Sequence, residues 1–274
     1  MSRPLTPTIA DCLEHKYLRP VFQPIGSLAT GDILGYEALI RGPAGTPLES
    51  PVALFAEAAR AGALVRMERL AARTAIAAFM QARLPGKLFL NYSADSLRDI
   101  EDTREEVRVF LRDQGIPSDR IVLELTEQAP LGSLESLTKA VFSIRSRGPQ
   151  FALDDYGTGH ANLGQWIAMK PDYVKIARIV IDGIATSAFQ LEAVRALCKL
   201  AKLSGTKLVA EGIERVEDLL ACRELGIDYA QGYLLARPSA EPPLTLSDVA
   251  VACIKSGAAS SASPGPGFHH DQTV

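Results

Sequence analysis

"PVFQPIGSLATGDILGYEALIRG", residues 20–42, contains two apolar, strand-like runs, "PVFQPI" at 20–25 and "DILGYEALIRG" at 32–42. Only a few residues around Gly26 and Gly31 separate them. A parallel pair needs a crossover of a dozen or more residues, so one of these two strands must run antiparallel. Further on, strand-like runs recur at 87–93 ("KLFLNYS"), 120–127 ("RIVLELTE"), 150–157 ("QFALDDYG"), 172–177 ("DYVKIA"), 207–213 ("KLVAEGI") and 228–235 ("DYAQGYLL"). Helical patterns lie between most of them. The one at 50–62 opens on Ser50 and Pro51, an N-cap followed by proline at the first helical position. Those at 104–115, 133–148 and 189–205 each close on a glycine. Strands alternating with helices over roughly 230 residues predict an α/β fold, a TIM-like (β/α)8 barrel with one antiparallel strand near the N-terminus. A doubly wound open sheet is the main competitor.

The totals agree with one such domain over residues 1–255. The chain has 274 residues, 47% hydrophobic and 22% charged, with a net charge of -3 and acids and bases mixed throughout. That is the composition of a soluble globular protein, without a broad basic surface for DNA or RNA. No apolar run reaches the ~20 residues needed to span a bilayer, and residues 1–16 lack a signal-peptide core. A cytoplasmic location and no membrane partner are expected. Cys12, Cys198, Cys222 and Cys253 lie far apart, and two of the four histidines, His269 and His270, sit at the end of the chain. A Cys- or His-based metal site is therefore not expected. Residues 256–274, "SGAASSASPGPGFHHDQTV", read as a low-complexity, disordered tail.

The chemistry lies at the strand ends. Most of the strands finish on a polar residue in an apolar setting: Glu37, Asn91, Glu124 with Glu127, Asp154 with Asp155, Lys175, Glu211 and Gln231. In a barrel these ends converge on one mouth. Six carboxylates gathered there would repel one another and raise each other's pKa unless cations balanced them. Oxygen donors without His or Cys favour Mg²⁺, Mn²⁺ or Ca²⁺. "FALDDYGTG", residues 151–159, sharpens the point. Neighbouring strand side chains face opposite ways, so two aspartates reach one cup only where the strand gives out. Gly157 and Gly159 permit such a break. A carboxylate there can bridge two cations ~3.5–4 Å apart, as in two-metal phosphodiester hydrolysis. Lys175 can then orient a water or balance developing charge.

Each residue also has a plain structural reading. Glu37 alone is more often a solvated loop acid, and Asp154 with Asp155 can cap the next helix. Lys175 can pair with a neighbouring acid. Asn91 and Gln231 can satisfy loop backbone, and Glu211 and Glu214 can open the next helix. "GTGHANLG" is not a G-x-G-x-x-G loop. The coincidence of so many such residues at successive strand ends favours a site.

These residues carry a resemblance. "FQPI", "GYEALIRG", "NYS", "ELTE", "DDYGTG", "AEGIE" and "QGY" occur in the order found in the EAL domain family, over roughly residues 20–240. The resemblance implies hydrolysis of the cyclic dinucleotide cyclic di-GMP to linear pGpG, with two Mg²⁺ or Mn²⁺ ions per site. It implies Glu37, Asn91, Glu124 and Asp154 as ligands of one metal, and Asp154, Asp155 and Glu211 as ligands of the other. Lys175 corresponds to the lysine that positions the attacking water, Glu211 also falls in the catalytic set, and Glu127 corresponds to the glutamate that steadies the loop after Asp155. Gln231 corresponds to a residue supporting the water and metal shell. Arg41 lies where the family contacts a substrate phosphate, and Gln23, Asp172 and Glu214 lie near further substrate contacts. A homodimer through the helix around Trp166 and a regulatory protein partner are also implied, although packing of Trp166 against the barrel is the simpler reading.

Two positions depart from the pattern. Ala177, in "VKIARIVIDG", stands where the family carries an aspartate, and Val180 replaces a usual aromatic. The alternative to a working phosphodiesterase is therefore a receptor that holds cyclic di-GMP without cutting it. A third reading is a different metal-dependent barrel hydrolase acting on sugar phosphates or small diesters.

Overall fold

The computed structural model describes residues 7–126, 133–159 and 161–260. Strands β1 (Arg19–Ser27), β2 (Ile33–Arg41), β3 (Lys87–Tyr92), β4 (Ile121–Leu125), β5 (Gln150–Tyr156), β6 (Tyr173–Ile176), β7 (Lys207–Ala210) and β8 (Tyr229–Ala230) close into a barrel in chain order. β1 is the antiparallel member. It runs against both β2 and β8, and the remaining pairs are parallel. The β1–β8 pairing closes the sheet, which excludes the open doubly wound alternative.

The helices wrap the outside because their apolar stripes match the helical repeat. In Leu64–Gln81, Met67, Ala71, Ala75 and Phe79 recur every fourth position and are buried. Pro51–Arg60 starts after Ser50 with proline in its first turn, as its sequence predicts. Among the described residues are helices that were not evident from periodicity. Ile9–His15 is opened by a Thr8–Asp11 capping box, Ala94–Asp102 is capped by Ser93, and Asp248–Ser260 buries Ala250 and Ile254. The last runs past Ser256, where a disordered tail was expected to begin. Among the described residues no helix is long and apolar enough to cross a membrane.

The two-residue period of the strands divides the barrel interior into layers. Ile25, Phe89, Val122, Ala152, Tyr173 and Val209 form an inner apolar plug, with Tyr229 packed against it. Two positions nearer the mouth, on the same strands or one residue past their ends, come Gln23, Asn91, Glu124, Asp154, Lys175, Glu211 and Gln231. On β1 the step runs backwards along the chain, from Ile25 to Gln23, because that strand is reversed.

Candidate active site at the barrel mouth

Lys175 is the centre of the polar layer. It projects from β6 with 1% of its side chain exposed. Its ammonium lies 3.1 Å from Glu37 Oε2, 3.1 Å from Glu124 Oε1, 3.1 Å from Asp154 Oδ1 and 2.8 Å from Glu211 Oε1. These acids come from β2, β4, β5 and the residue after β7. Amides complete the ring. Asn91 Nδ2 donates to Glu37 Oε1 (2.9 Å), and Gln231 Nε2 donates to Glu37 Oε2 (2.8 Å) and to Gln23 Oε1 (3.1 Å). Gln23 Nε2 in turn donates to the Ala236 carbonyl (3.1 Å). Closure of β1 against β2, with Gln23 opposite Glu37, therefore supports the same acid.

The acids do not share these partners equally. Burial pushes the Glu37 carboxyl up, but the Lys175 charge and the bonds from Asn91, Gln231 and Lys175 outweigh it and hold the group below its usual range. Burial dominates at Glu124, which is raised well above the ordinary value, with Glu37, Asp154 and Glu211 adding repulsion. Burial also raises Asp154, and raises Glu211 to about 8. Burial pulls Lys175 down, but its four carboxylates together raise it well above its normal pKa. Four carboxylates around one ammonium leave a formal excess of three negative charges when all are ionised. Such a cluster is costly in a protein interior unless a further cation balances it.

Asp154 and Asp155 reach the mouth by a different device from a simple strand end. β5 pairs Leu153 with Val174 and then Tyr156 with Ile176, so β5 carries one more residue than β6 over that stretch. This is a β-bulge, and Asp155 takes the left-handed conformation within it (φ 51°). The strand bulges and then resumes at Tyr156. Asp154 stays against Lys175 while Asp155 is exposed at the rim. Tyr156 then packs edge-on against Trp166, with ring centroids 5.4 Å apart. Trp166 is buried and donates its indole N–H to Thr206 Oγ1 (3.1 Å), so its role here is packing.

The fold treats the remaining sequence candidates unequally. Arg41 ends β2 on the same strand face as Glu37, with its Nη1 donating to the Ile40 carbonyl (3.1 Å). Asp172 is not brought to the mouth. It precedes β6 at the opposite end, where it accepts from Arg145 (2.7 Å) and from the Phe151 N–H (2.9 Å). There it ties β5 to β6, which corrects its reading as a substrate contact. Glu214 lies at the rim in a two-pronged pair with Arg178 (2.8 and 3.2 Å). Ala177 is buried and caps the short helix Arg178–Ile181. Glu127 lies outside the described residues.

A cleft of 660 Å³ opens beside this ring. Glu37, Asn91, Asp154 and Asp155 face it on one side, and Pro51, Val52 and Phe55 give it an apolar wall. Glu68 also lines it, and sequence reading missed this acid because it lies on a helix rather than at a strand end. Glu68 Oε2 accepts from the N–H (3.1 Å) and hydroxyl (2.8 Å) of Ser93, two residues after Asn91. Burial raises its pKa.

The donor set suits a hard divalent cation. Among the described residues, both oxygens of Glu124 and Oδ1 of Asp154 are buried and accept no well-directed hydrogen bond. Among the described residues the surrounding donors are carboxylates and amides, without Cys or His. The carboxylates are turned onto Lys175, however, and among the described residues no three Asp, Glu, His or Cys side chains form a metal-holding group.

The chain belongs to the EAL domain family, whose model matches residues 8–238. It is similar to the cyclic di-GMP phosphodiesterase NbdA of Pseudomonas aeruginosa, at 29% identity over 235 residues covering 84% of this chain and 30% of that protein. The chain spans less than half the length of the curated relatives it matches. Among solved structures, the Klebsiella pneumoniae BlrP1 complex with calcium and cyclic di-GMP matches with a TM-score of 0.74 and 28% identity, over 81% of this chain and 56% of that one. A manganese complex of the same protein matches equally well. The cyclic di-GMP-bound form of a standalone EAL protein from Vibrio cholerae matches with a TM-score of 0.75 and 25% identity, over 85% of this chain and 97% of that one.

Proposed function

We propose that this chain is a metal-dependent phosphodiesterase that opens cyclic di-GMP to linear pGpG. The observation that carries the reading is the convergence of Glu37, Glu124, Asp154 and Glu211 on one buried lysine, in a family whose solved relatives bind this dinucleotide. Glu37, Asn91, Glu124, Asp154, Asp155 and Glu211 would hold two Mg²⁺ or Mn²⁺ ions. When bound, such ions supply Lewis-acid activation of water and neutralise charge on the phosphate.

The chain's own residues do the rest. Lys175 keeps its proton at neutral pH and presents it at the centre of the acids, where it can orient a water by donating to it. Gln231 and Asn91 fix the rotamer of Glu37. Gln23 holds Gln231 in place, and Arg41 supplies a guanidinium for a substrate phosphate. Pro51, Val52 and Phe55 line one side of the cleft with apolar surface. Pairing into a homodimer and control by a partner protein belong to the same proposal.

Buried Ala177 favours a second reading, a receptor that binds cyclic di-GMP without turnover. The test is a hydrolysis assay with cyclic di-GMP and Mg²⁺ or Mn²⁺, run beside an EDTA control and Asp154→Ala. Formation of pGpG that chelation and the variant both abolish supports the phosphodiesterase. Binding of intact dinucleotide without product supports the receptor, and Ala177→Asp is then the variant to assay for turnover. Turnover of other diesters but not of cyclic di-GMP would overturn both.

A further inference from the structure

Between the segments that follow β6 and β7 runs a seam of reciprocal charge pairs that lies outside the ring of acids. Arg178 grips Glu214 with both guanidinium prongs. Four residues further along the first segment the polarity reverses, and Asp182 accepts from Arg215 (3.2 Å). Asp218, 3% exposed, anchors the seam. It accepts from Arg215 Nε (2.9 Å) and from the backbone N–H groups of Gly183 (3.3 Å) and Ala185 (3.1 Å). An isolated exposed ion pair contributes little, but a network tied to a buried carboxylate and to backbone restricts two loops together.

This seam encloses a residue of the site. Glu211 begins the second segment, and its N–H donates to the Ile176 carbonyl (3.0 Å), one residue beyond Lys175. Gly212 follows in the left-handed conformation (φ 68°), and the Arg178 stem lies against it so closely that a Cβ there would overlap its Cβ, Cγ and Cδ. Arg178 thus lies across the turn that presents Glu211 and closes on Glu214 beyond it. Val180 fills the space above Gly157 in the same way, so the segment after β6 also touches the loop after β5. All of this starts directly after Ala177, which has no carboxylate to offer.

We infer that Arg178, clasping Glu214 across Gly212, is a positioning residue that fixes Glu211 against Lys175. The inference rests on the reading of Glu211 as part of the site, but the loop itself can be tested without metal or substrate. The experiment measures amide hydrogen exchange of Glu211 in the metal-free protein and Mn²⁺ affinity by calorimetry. The proteins compared are wild type, Arg178→Ala, Glu214→Gln, the double variant and the swapped pair Arg178→Glu/Glu214→Arg.

Each single variant is expected to speed Glu211 exchange about tenfold and to weaken Mn²⁺ binding by a similar factor. The double variant should be no worse than either single one, and the swap should restore most of the loss. Thermal unfolding should move by no more than about 2 °C, which separates local release from global destabilisation. Unchanged exchange in Arg178→Ala, additive effects in the double variant, or faster exchange with unchanged Mn²⁺ affinity would each overturn the inference. Should the wild-type chain bind no Mn²⁺, the metal reading fails, and the exchange measurements alone decide the clasp.

Discussion

Two layers of the same barrel interior, two residues apart on the same strands, obey opposite rules. The lower layer, with Phe89, Val122, Ala152 and Val209, is dry and close-packed, and its burial stabilises the fold. The upper layer, with Asn91, Glu124, Asp154 and Glu211, gathers like charge around one ammonium. One backbone serves both because a strand presents alternate residues to the same side at successive heights. The contrast teaches that the mouth is maintained at the expense of stability, and that the plug beneath supplies the rigidity on which it depends.

The largest expected effect breaks the lower layer. Phe89→Ala should cost about 3–5 kcal/mol of unfolding free energy in a denaturant titration, through lost burial and a cavity under the mouth. A cost below about 1 kcal/mol would show that the plug is not what supports the barrel. The matching change above it is Asp154→Asn. Turnover of cyclic di-GMP should fall on the order of 10²–10³-fold. The metal-free variant should unfold at the same temperature as the parent or higher, because a like charge has been removed. A large drop in its Tm would instead mean that Asp154 is a structural partner of Lys175.

The pH response should differ in sign between the mouth and the outer surface. Glu211 is raised to about 8 in the fold, so the folded chain holds that proton more tightly than the unfolded chain does. Its contribution to stability is complete below the ordinary carboxylate pKa and is lost as pH rises toward about 8, by at most about 1.4 kcal/mol per pH unit. Saturating Mn²⁺ should flatten this fall and release protons on binding. Urea titrations of the metal-free and Mn²⁺-loaded protein between pH 5 and 8 measure both, and coincident slopes would contradict the assignment.

On the outer surface, Arg147 holds Glu101 down to about 2 across a 2.6 Å pair. That contribution is present above the ordinary carboxylate pKa and is lost as pH falls through about 2. It is also the smallest effect expected here. Arg147→Ala should change stability at neutral pH by about 1 kcal/mol or less, with turnover unchanged. A larger loss would give the outer charges a weight comparable to the mouth.

Most of the barrel was legible because its signals are local. The short link between the first two runs required an antiparallel strand, and most of the apolar runs visibly ended on a polar residue. Asp154 and Asp155 were legible as a pair, but the bulge that separates them was not, because a bulge is defined by register against β6. Ala94–Asp102 was missed because it is short and polar and depends on the Ser93 cap, which Glu68 holds from another helix. Asp172 was misplaced because a motif gives spacing along the chain without saying which end of the barrel a residue will occupy.

The sequence by itself determined the strand count, that one of the first two strands is reversed, the family motifs and the identities of the acids around Lys175. Those properties are carried by residue type and spacing, which a linear chain displays. Only the tertiary structure decided that four of those acids meet on one ammonium, that Asp172 braces the far end, and that Arg178 closes over the turn carrying Glu211. These are contacts between segments far apart in sequence, and closure of the barrel is what brings them within bonding distance.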